Sequence, residues 1–377
     1  MTILFTHARK LDAAGQVDDF WMLVDEDTIV STGAGNGPTA DQTVDIGGAW
    51  LTPGFIDLHS HGAGGFSYDD GVDAITAGVA IHRAHGTTRS VISLVTNPIP
   101  MLEASLAVVA DIAATDPLIL GSHLEGPYLS PERAGAHNPA LLREPQPGEL
   151  NRLMDAAHGT LRQLTIAPEL PNALELVEVL VENEVVVAVG HSQADFALAR
   201  KTFDIGARLL THAFNAMPGI GHRAPGPVVA AFEDDRVTLE LILDGEHVHP
   251  DVAALAFRSA PGRVALITDA MAAAGASDGD YDLGTLKVEV RDGAAHIAGT
   301  NTLAGSTLTQ DRALRFAIEH VRVDPVAAVA ALTLTPATVL GLESRHGLLA
   351  AGYAADAVQL DSRWRVEHVW ANGVALS

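Results

Sequence analysis

Through the middle of the chain, short apolar runs alternate with longer stretches of mixed polarity. Eight runs have strand character: residues 54–59, 88–93, 118–123, 161–167, 185–189, 207–211, 237–243 and 263–268. The stretches 71–85, 171–184 and 193–206 have helix length and mixed polarity. Strands alternating with helices predict a parallel sheet. Eight such repeats predict a closed (β/α)8, TIM-like barrel of the α/β class. The competing architecture is a doubly wound open sheet, but no Gly-x-Gly-x-x-Gly follows an early strand.

The two ends read differently. Residues 20–24 and 27–32 are β-rich and lead into a Gly/Pro turn cluster at 33–38. Near the other end, 354–360 and 365–370 look like strands, and Asn372-Gly373 is a turn signal. Two β-rich ends predict a small β-sandwich domain built from residues 1–52 and 346–377, flanking a barrel at 53–345. Within the barrel segment, residues 281–304 break the alternation. Runs 286–290 and 295–298 flank Arg291-Asp292-Gly293, which predicts a hairpin inserted after the eighth strand. Residues 312–321 and 324–332 are expected to be helices that finish the barrel.

Composition narrows the chemistry. The net charge of −24 argues against binding nucleic acid or an anionic membrane surface. The same field repels a phosphorylated ligand, so any phosphate site must be local. The chain has no cysteine, which rules out disulfides and thiolate metal sites and leaves His and carboxylates as ligands. Residues 1–10 lack the pattern of a signal peptide and no run of 18 apolar residues occurs. A cytoplasmic protein is expected.

In such barrels the chemistry gathers where strands end. The first strand ends in His59-Ser60-His61, whose alternate side chains share one side. The third ends with His123 and Glu125, the fifth with His191 and the sixth with His212. The seventh leads into Asp244 and His247, and the eighth ends in Asp269. A lone His at a strand end is more often a hydrogen-bonded structural residue than a ligand, Glu125 could pair with a buried Arg, and Asp269 could cap a helix. All of these together at one rim are better read as a metal centre. His123 is expected to pack in the interior or support the ligands. His82 and His85, on a helix, are expected at the surface.

These pieces resemble the amidohydrolase superfamily and, within it, the family of N-acetylglucosamine-6-phosphate deacetylases. The resemblance is carried by residues 53–62, His123-Leu124-Glu125-Gly126-Pro127, residues 135–139, 190–192 and 211–218, Asp244-Gly245-Glu246-His247, Thr268-Asp269-Ala270 and Ala304-Gly305-Ser306. It implies that Glu125, His191 and His212 hold the principal metal. His59 and His61 would hold a second, bridged by Glu125, and Asp269 would be the catalytic carboxylate. One or two divalent ions per subunit are expected, zinc first, with iron, cobalt or manganese as alternatives. His137 would contact the sugar and help stabilise the oxyanion.

Further along the same resemblance, Asn215, Ala216, His247 and Arg223 would bind the substrate's phosphate. Arg223 would come from the neighbouring subunit of a homodimer. The loop 129–135 is a candidate lid, and its Arg133 a further phosphate or sugar contact. The fourth strand offers no lysine at Thr165-Ile166-Ala167-Pro168-Glu169, which sets the chain apart from the cyclic-amide hydrolases. The implied reaction is hydrolysis of the acetamide of a small sugar phosphate. The alternative is deacetylation of another N-acetylated sugar phosphate or of an N-acyl amino acid.

Overall fold

The computed structural model describes residues 1–376, which divide into two compact units: Met1–Asp57 with Ala80–Arg89 and residues 309–376, and Leu58–Val79 with Ser90–Leu308. The first unit contains an eight-stranded sheet built from both ends of the chain. Thr2–Asp12 and Gly15–Asp25 pair antiparallel, and Thr28–Ala34 extends the sheet on one side. On its other edge the first strand pairs in parallel with Gln42–Asp45 and then with Trp50–Pro53. The C-terminal strands Ala357–Leu360, Val366–Ala371 and Val374–Ala375 continue from Trp50–Pro53. Phe5 and Trp370 lie on strands three places apart, a span of roughly 14 Å in a flat sheet. Their ring centroids are 5.1 Å apart, so the sheet folds over itself. Phe20, Met22, Val24, Ile29 and Leu51 fill the space enclosed.

A second eight-stranded sheet is parallel throughout and runs in chain order: Phe55–Ser60, Thr87–Leu94, Ile119–Glu125, Leu161–Ile166, Val186–Val189, Leu209–Leu210, Thr238–Ile242 and Val264–Ile267. Every predicted strand is present. The first two are buried at every position, as expected where both faces of a parallel sheet are covered. The last strand returns to the first: Ser60 bridges Ala270, Asp269 N–H donates to His59 C=O at 2.8 Å, and His61 N–H donates to Ala270 C=O at 2.7 Å. The barrel therefore closes at the residues where the sequence places its ligands. The sixth strand is short because the chain turns at Thr211-His212, where His212 has φ +27°.

Several details differ from expectation. The insertion has three strands, Gly279–Leu283, Leu286–Arg291 and Ala294–Ile297. The added strand was hidden by its polar sequence Gly-Asp-Tyr-Asp-Leu, of which only Leu283 is buried. The expected helix at 312–321 is α-helical over Gln310–Phe316 and widens to π geometry over Ala317–Val321. A further helix, Leu334–Val339, follows the two that were expected. His82 is not on the surface: it is buried, sharing a helical face with Ile75 and Val79 at a spacing of seven and three. His85 faces the Asp311 carboxylate at 3.1 Å. Among the described residues no helix is long and apolar enough to cross a membrane.

Candidate active site

Six side chains meet at the closing end of the barrel: His59, His61, Glu125, His191, His212 and Asp269. Two groupings bring ligand atoms close together, His59/His61/Glu125/Asp269 and Glu125/His191/His212. Glu125 belongs to both, and its two oxygens face different ways. Oε1 lies 3.2 Å from Nε2 of both His191 and His212. Oε2 lies 3.2 Å from His61 Nε2 and 3.3 Å from His137 Nε2. Asp269 Oδ1 stands 3.4 Å from His61 Nε2 and 3.5 Å from His59 Nε2. It caps no helix.

The backbone makes this convergence possible at a local cost. His191, His212 and Asp269 have φ of +47°, +27° and +46°, a region that costs a non-glycine residue about 1–3 kcal/mol. Gly190 allows the turn before His191, because a Cβ there would sit 2.6 Å from the Thr211 side chain. His191 Nδ1 donates to the Arg133 carbonyl at 2.8 Å, and Ser130 N–H donates to the His191 carbonyl at 2.9 Å. The 129–135 loop is thus tied to His191, and that ring presents Nε2 to Glu125.

The arrangement fits a divalent metal. His191 and His212 face each other Nε2 to Nε2 at 2.9 Å, and His59 and His61 at 3.1 Å. At most one nitrogen of each pair can donate to the other. Each pair instead aims its nitrogens at one shared carboxylate, with no Lys or Arg between. Nitrogen and oxygen donors converging this way suit zinc and its first-row neighbours. Burial disfavours the charged form of His61, but hydrogen bonds to Asp269 and Glu125 outweigh it and raise its pKa to about 9. His59 is also raised, by Glu125 and Asp269 against burial. Glu125 is held well below the carboxylate range by the surrounding imidazoles, despite burial.

His137 is different. Burial pushes its pKa down to about 4 despite Glu125, so the ring is neutral at pH 7 and donates from Nε2 to Glu125. His123 is an interior support, as expected. Its nitrogens meet Ser93 Oγ at 2.9 Å and Thr165 Oγ1 at 2.8 Å, and its ring packs edge-on against His59 at 4.6 Å.

A cavity of about 330 Å³ opens over the cluster. His61, Glu125, His137, His191, His212, Asn215, Ala216, His247 and Asp269 all line it, as does Arg133, whose Nε is buried without a partner in the protein. Arg223 is exposed and lies outside this lining. Asp244 was noted in the sequence without a role, and Glu240 escaped it altogether. Asp244 Oδ2 accepts from His247 Nδ1 at 2.6 Å; this turns the ring's other nitrogen outward and raises its pKa against burial. Glu240 sits fully buried in the seventh barrel strand, with its Oε2 3.3 Å from His59 Nδ1. Its signal was a lone carboxylate in the apolar run 237–243.

A barrel closing on a His/carboxylate cluster of this kind defines a metal-dependent hydrolase. The chain belongs to the amidohydrolase family, whose model matches residues 50–376. Its relatives are sugar-phosphate deacetylases. The chain is 37% identical over 99% of both lengths to the N-acetylgalactosamine-6-phosphate deacetylase of Escherichia coli O157:H7. It is 35% identical to the N-acetylglucosamine-6-phosphate deacetylase of Bos taurus, over 89% of this chain and 85% of that one. Its fold superposes with TM-score 0.94 and 43% identity on an N-acetyl-D-glucosamine-6-phosphate deacetylase from Mycobacterium smegmatis, an Asp→Ala mutant in complex with N-acetyl-D-glucosamine-6-phosphate, covering 100% of this chain and 99% of that one.

Proposed function

We propose that the protein removes the acetyl group from N-acetylglucosamine 6-phosphate, releasing glucosamine 6-phosphate and acetate. The observation that carries this reading is Glu125, set between two His pairs with Asp269 alongside, at the base of a cavity whose wall holds His247 and Arg133. Glu125, His191 and His212 would hold the principal divalent ion, zinc first, and His59 and His61 a second. When bound there, the ion supplies Lewis-acid polarisation of the amide carbonyl and lowers the pKa of a water toward ~7.

Asp269 accepts the proton of the attacking water and passes it to the departing amine, which is a poor leaving group without it. Its carboxyl is held below the usual range by the His59 charge and the His61 hydrogen bond, against burial, so it starts as the base. His137 is neutral at the cavity wall, and its one N–H, which faces Glu125 in the free protein, would turn to the substrate carbonyl or a sugar hydroxyl when substrate binds. His247, oriented by Asp244, takes the phosphate with Arg133 and the amides of Asn215 and Ala216. Arg223, exposed on its own subunit, reaches the cavity of the neighbouring subunit in a homodimer. These few cations answer locally the repulsion of a chain with net charge −24. Residues 53–345 carry the chemistry in this reading, residues 1–52 and 346–377 form the β domain, and the enzyme works in the cytoplasm.

The test is acetate release by metal-loaded protein from N-acetylglucosamine 6-phosphate and from the unphosphorylated sugar. Expected is turnover that chelation abolishes, with kcat/KM lower by on the order of 100-fold when the phosphate is absent. Turnover indifferent to the metal or to the phosphate overturns the reading. The Escherichia coli relative favours one alternative, the 4-epimer N-acetylgalactosamine 6-phosphate. A kcat/KM higher for that sugar would replace the first substrate with it.

A further inference from the structure

Glu240 is a carboxylate in the interior of the barrel with 0% of its surface exposed and no Lys or Arg against it. It is held by donors instead. His59 Nδ1 lies 3.3 Å from Oε2, His212 N–H donates to the same oxygen at 3.3 Å, and Gln163 Nε2 donates to Oε1 at 3.1 Å. A buried ionised group costs several kcal/mol unless such partners compensate it. A bare carboxylate in an apolar strand therefore points to a task that an aliphatic residue would not perform.

The task follows from His59. With Nδ1 turned to Glu240, its Nε2 must face His61, Glu125 and Asp269, where it stands 3.1, 3.5 and 3.5 Å away. A carboxylate behind an imidazole fixes the tautomer and strengthens the opposite nitrogen as a ligand. His61 has no such support, since its Nδ1 has no hydrogen-bond partner in the protein. In the other half of the centre, a neutral carbonyl orients His191.

We infer that Glu240 is the positioning residue that makes the His59/His61 half of the centre a metal site. The inference rests on the metal centre of the proposed function, and its test needs no substrate. Glu240→Gln is suited to it. Gln163 Oε1 is buried without a partner, so a flip of the Gln163 amide accepts the new NH2 and leaves oxygen toward His59. The variant removes charge and keeps shape.

Metal-free full-length protein is titrated with zinc chloride against a competing chelator, and bound zinc is counted by mass spectrometry. Expected is two ions in the unmodified protein. In E240Q the second ion binds 10–100-fold more weakly and the first is unchanged. The double variant E240Q/H59Q binds no more weakly than H59Q alone, because Glu240 acts through His59. Should E240Q fail to fold, E240Q/Q163E keeps one carboxylate in the buried pair and carries the same expectation.

Second-ion affinity within about twofold of the unmodified protein, equal weakening of both ions, or additive loss in the double variant overturns the inference. So does uptake of a single ion by the unmodified protein, which leaves the deacetylase reading standing on Glu125, His191 and His212. Two ions bound without acetate release would instead overturn the function and leave Glu240 its role.

Discussion

Each unit buries charge, and the two do so in opposite ways. In the unit formed by the chain ends, two buried cations each meet a carboxylate. Lys10 pairs with Asp12 at 2.9 Å, and Leu349 N–H closes the same carboxylate at 3.0 Å. Arg89 reaches Asp356 through Nε at 2.8 Å and Nη2 at 3.1 Å, and Asn372 joins both partners. Planar fork and carboxylate match in geometry and in charge. At the barrel rim, four imidazoles and two carboxylates point inward at one another, with ring nitrogens as close as 2.9 Å. The first network is closed by its own members. The second is open, and three of its residues sit at positive φ. Strain and unsatisfied donors mark where chemistry is placed.

The comparison breaks most sharply at Asp269. Asp269→Asn should cut kcat by about 10³-fold while zinc content and thermal midpoint stay near those of the unmodified protein. Acetate release and metal analysis on one preparation check it. A near-normal rate would remove Asp269 from the proton path.

The next effect belongs to the closed network and should have the reverse signature. Arg89→Met strands the buried Asp356 carboxylate and should destabilise by about 3–5 kcal/mol. Denaturant unfolding reads the loss, while kcat per folded molecule is retained. A midpoint unchanged by this variant would mean that the network contributes little beyond specificity.

A smaller effect concerns pH. Burial alone would raise the pKa of Asp311, but hydrogen bonds from His85 and Thr309, with Arg315 nearby, hold it at about 2. The unfolded value is about 3.9. The folded pKa is the lower one, so the stabilisation is full above pH ~4 and lost as pH falls toward ~2. Its size is about 2–3 kcal/mol. Asp311→Asn should flatten that part of the stability curve, and acid titration of both proteins checks the sign.

Legibility followed distance in sequence. Runs such as 88–93 announced their strands because strand periodicity is a local property. His59, His61, Glu125, His191, His212 and Asp269 were legible because each ends such a run, and the ends of parallel strands share one rim. Glu240 was not, because a single carboxylate inside an apolar run has no local reason to be there. Its reason is His59, 181 positions away. Asp244 lay within a quoted motif, yet its hold on the His247 ring needs the turn between them. His82 was misplaced because a polar side chain on a helix is read as solvent-facing until the packing is known.

Sequence by itself determined the alternation of strands and helices, the β-rich ends and the stock of nitrogen and oxygen ligands, since these depend on neighbours a few residues apart. Only the tertiary structure decided that Glu125 turns Oε1 to His191 and His212 and Oε2 to His61 and His137, that Arg223 lies outside its own cavity, and that a buried glutamate stands behind His59. Those outcomes depend on closing the barrel, which brings the first and eighth strands together and fixes side-chain directions that no local pattern records.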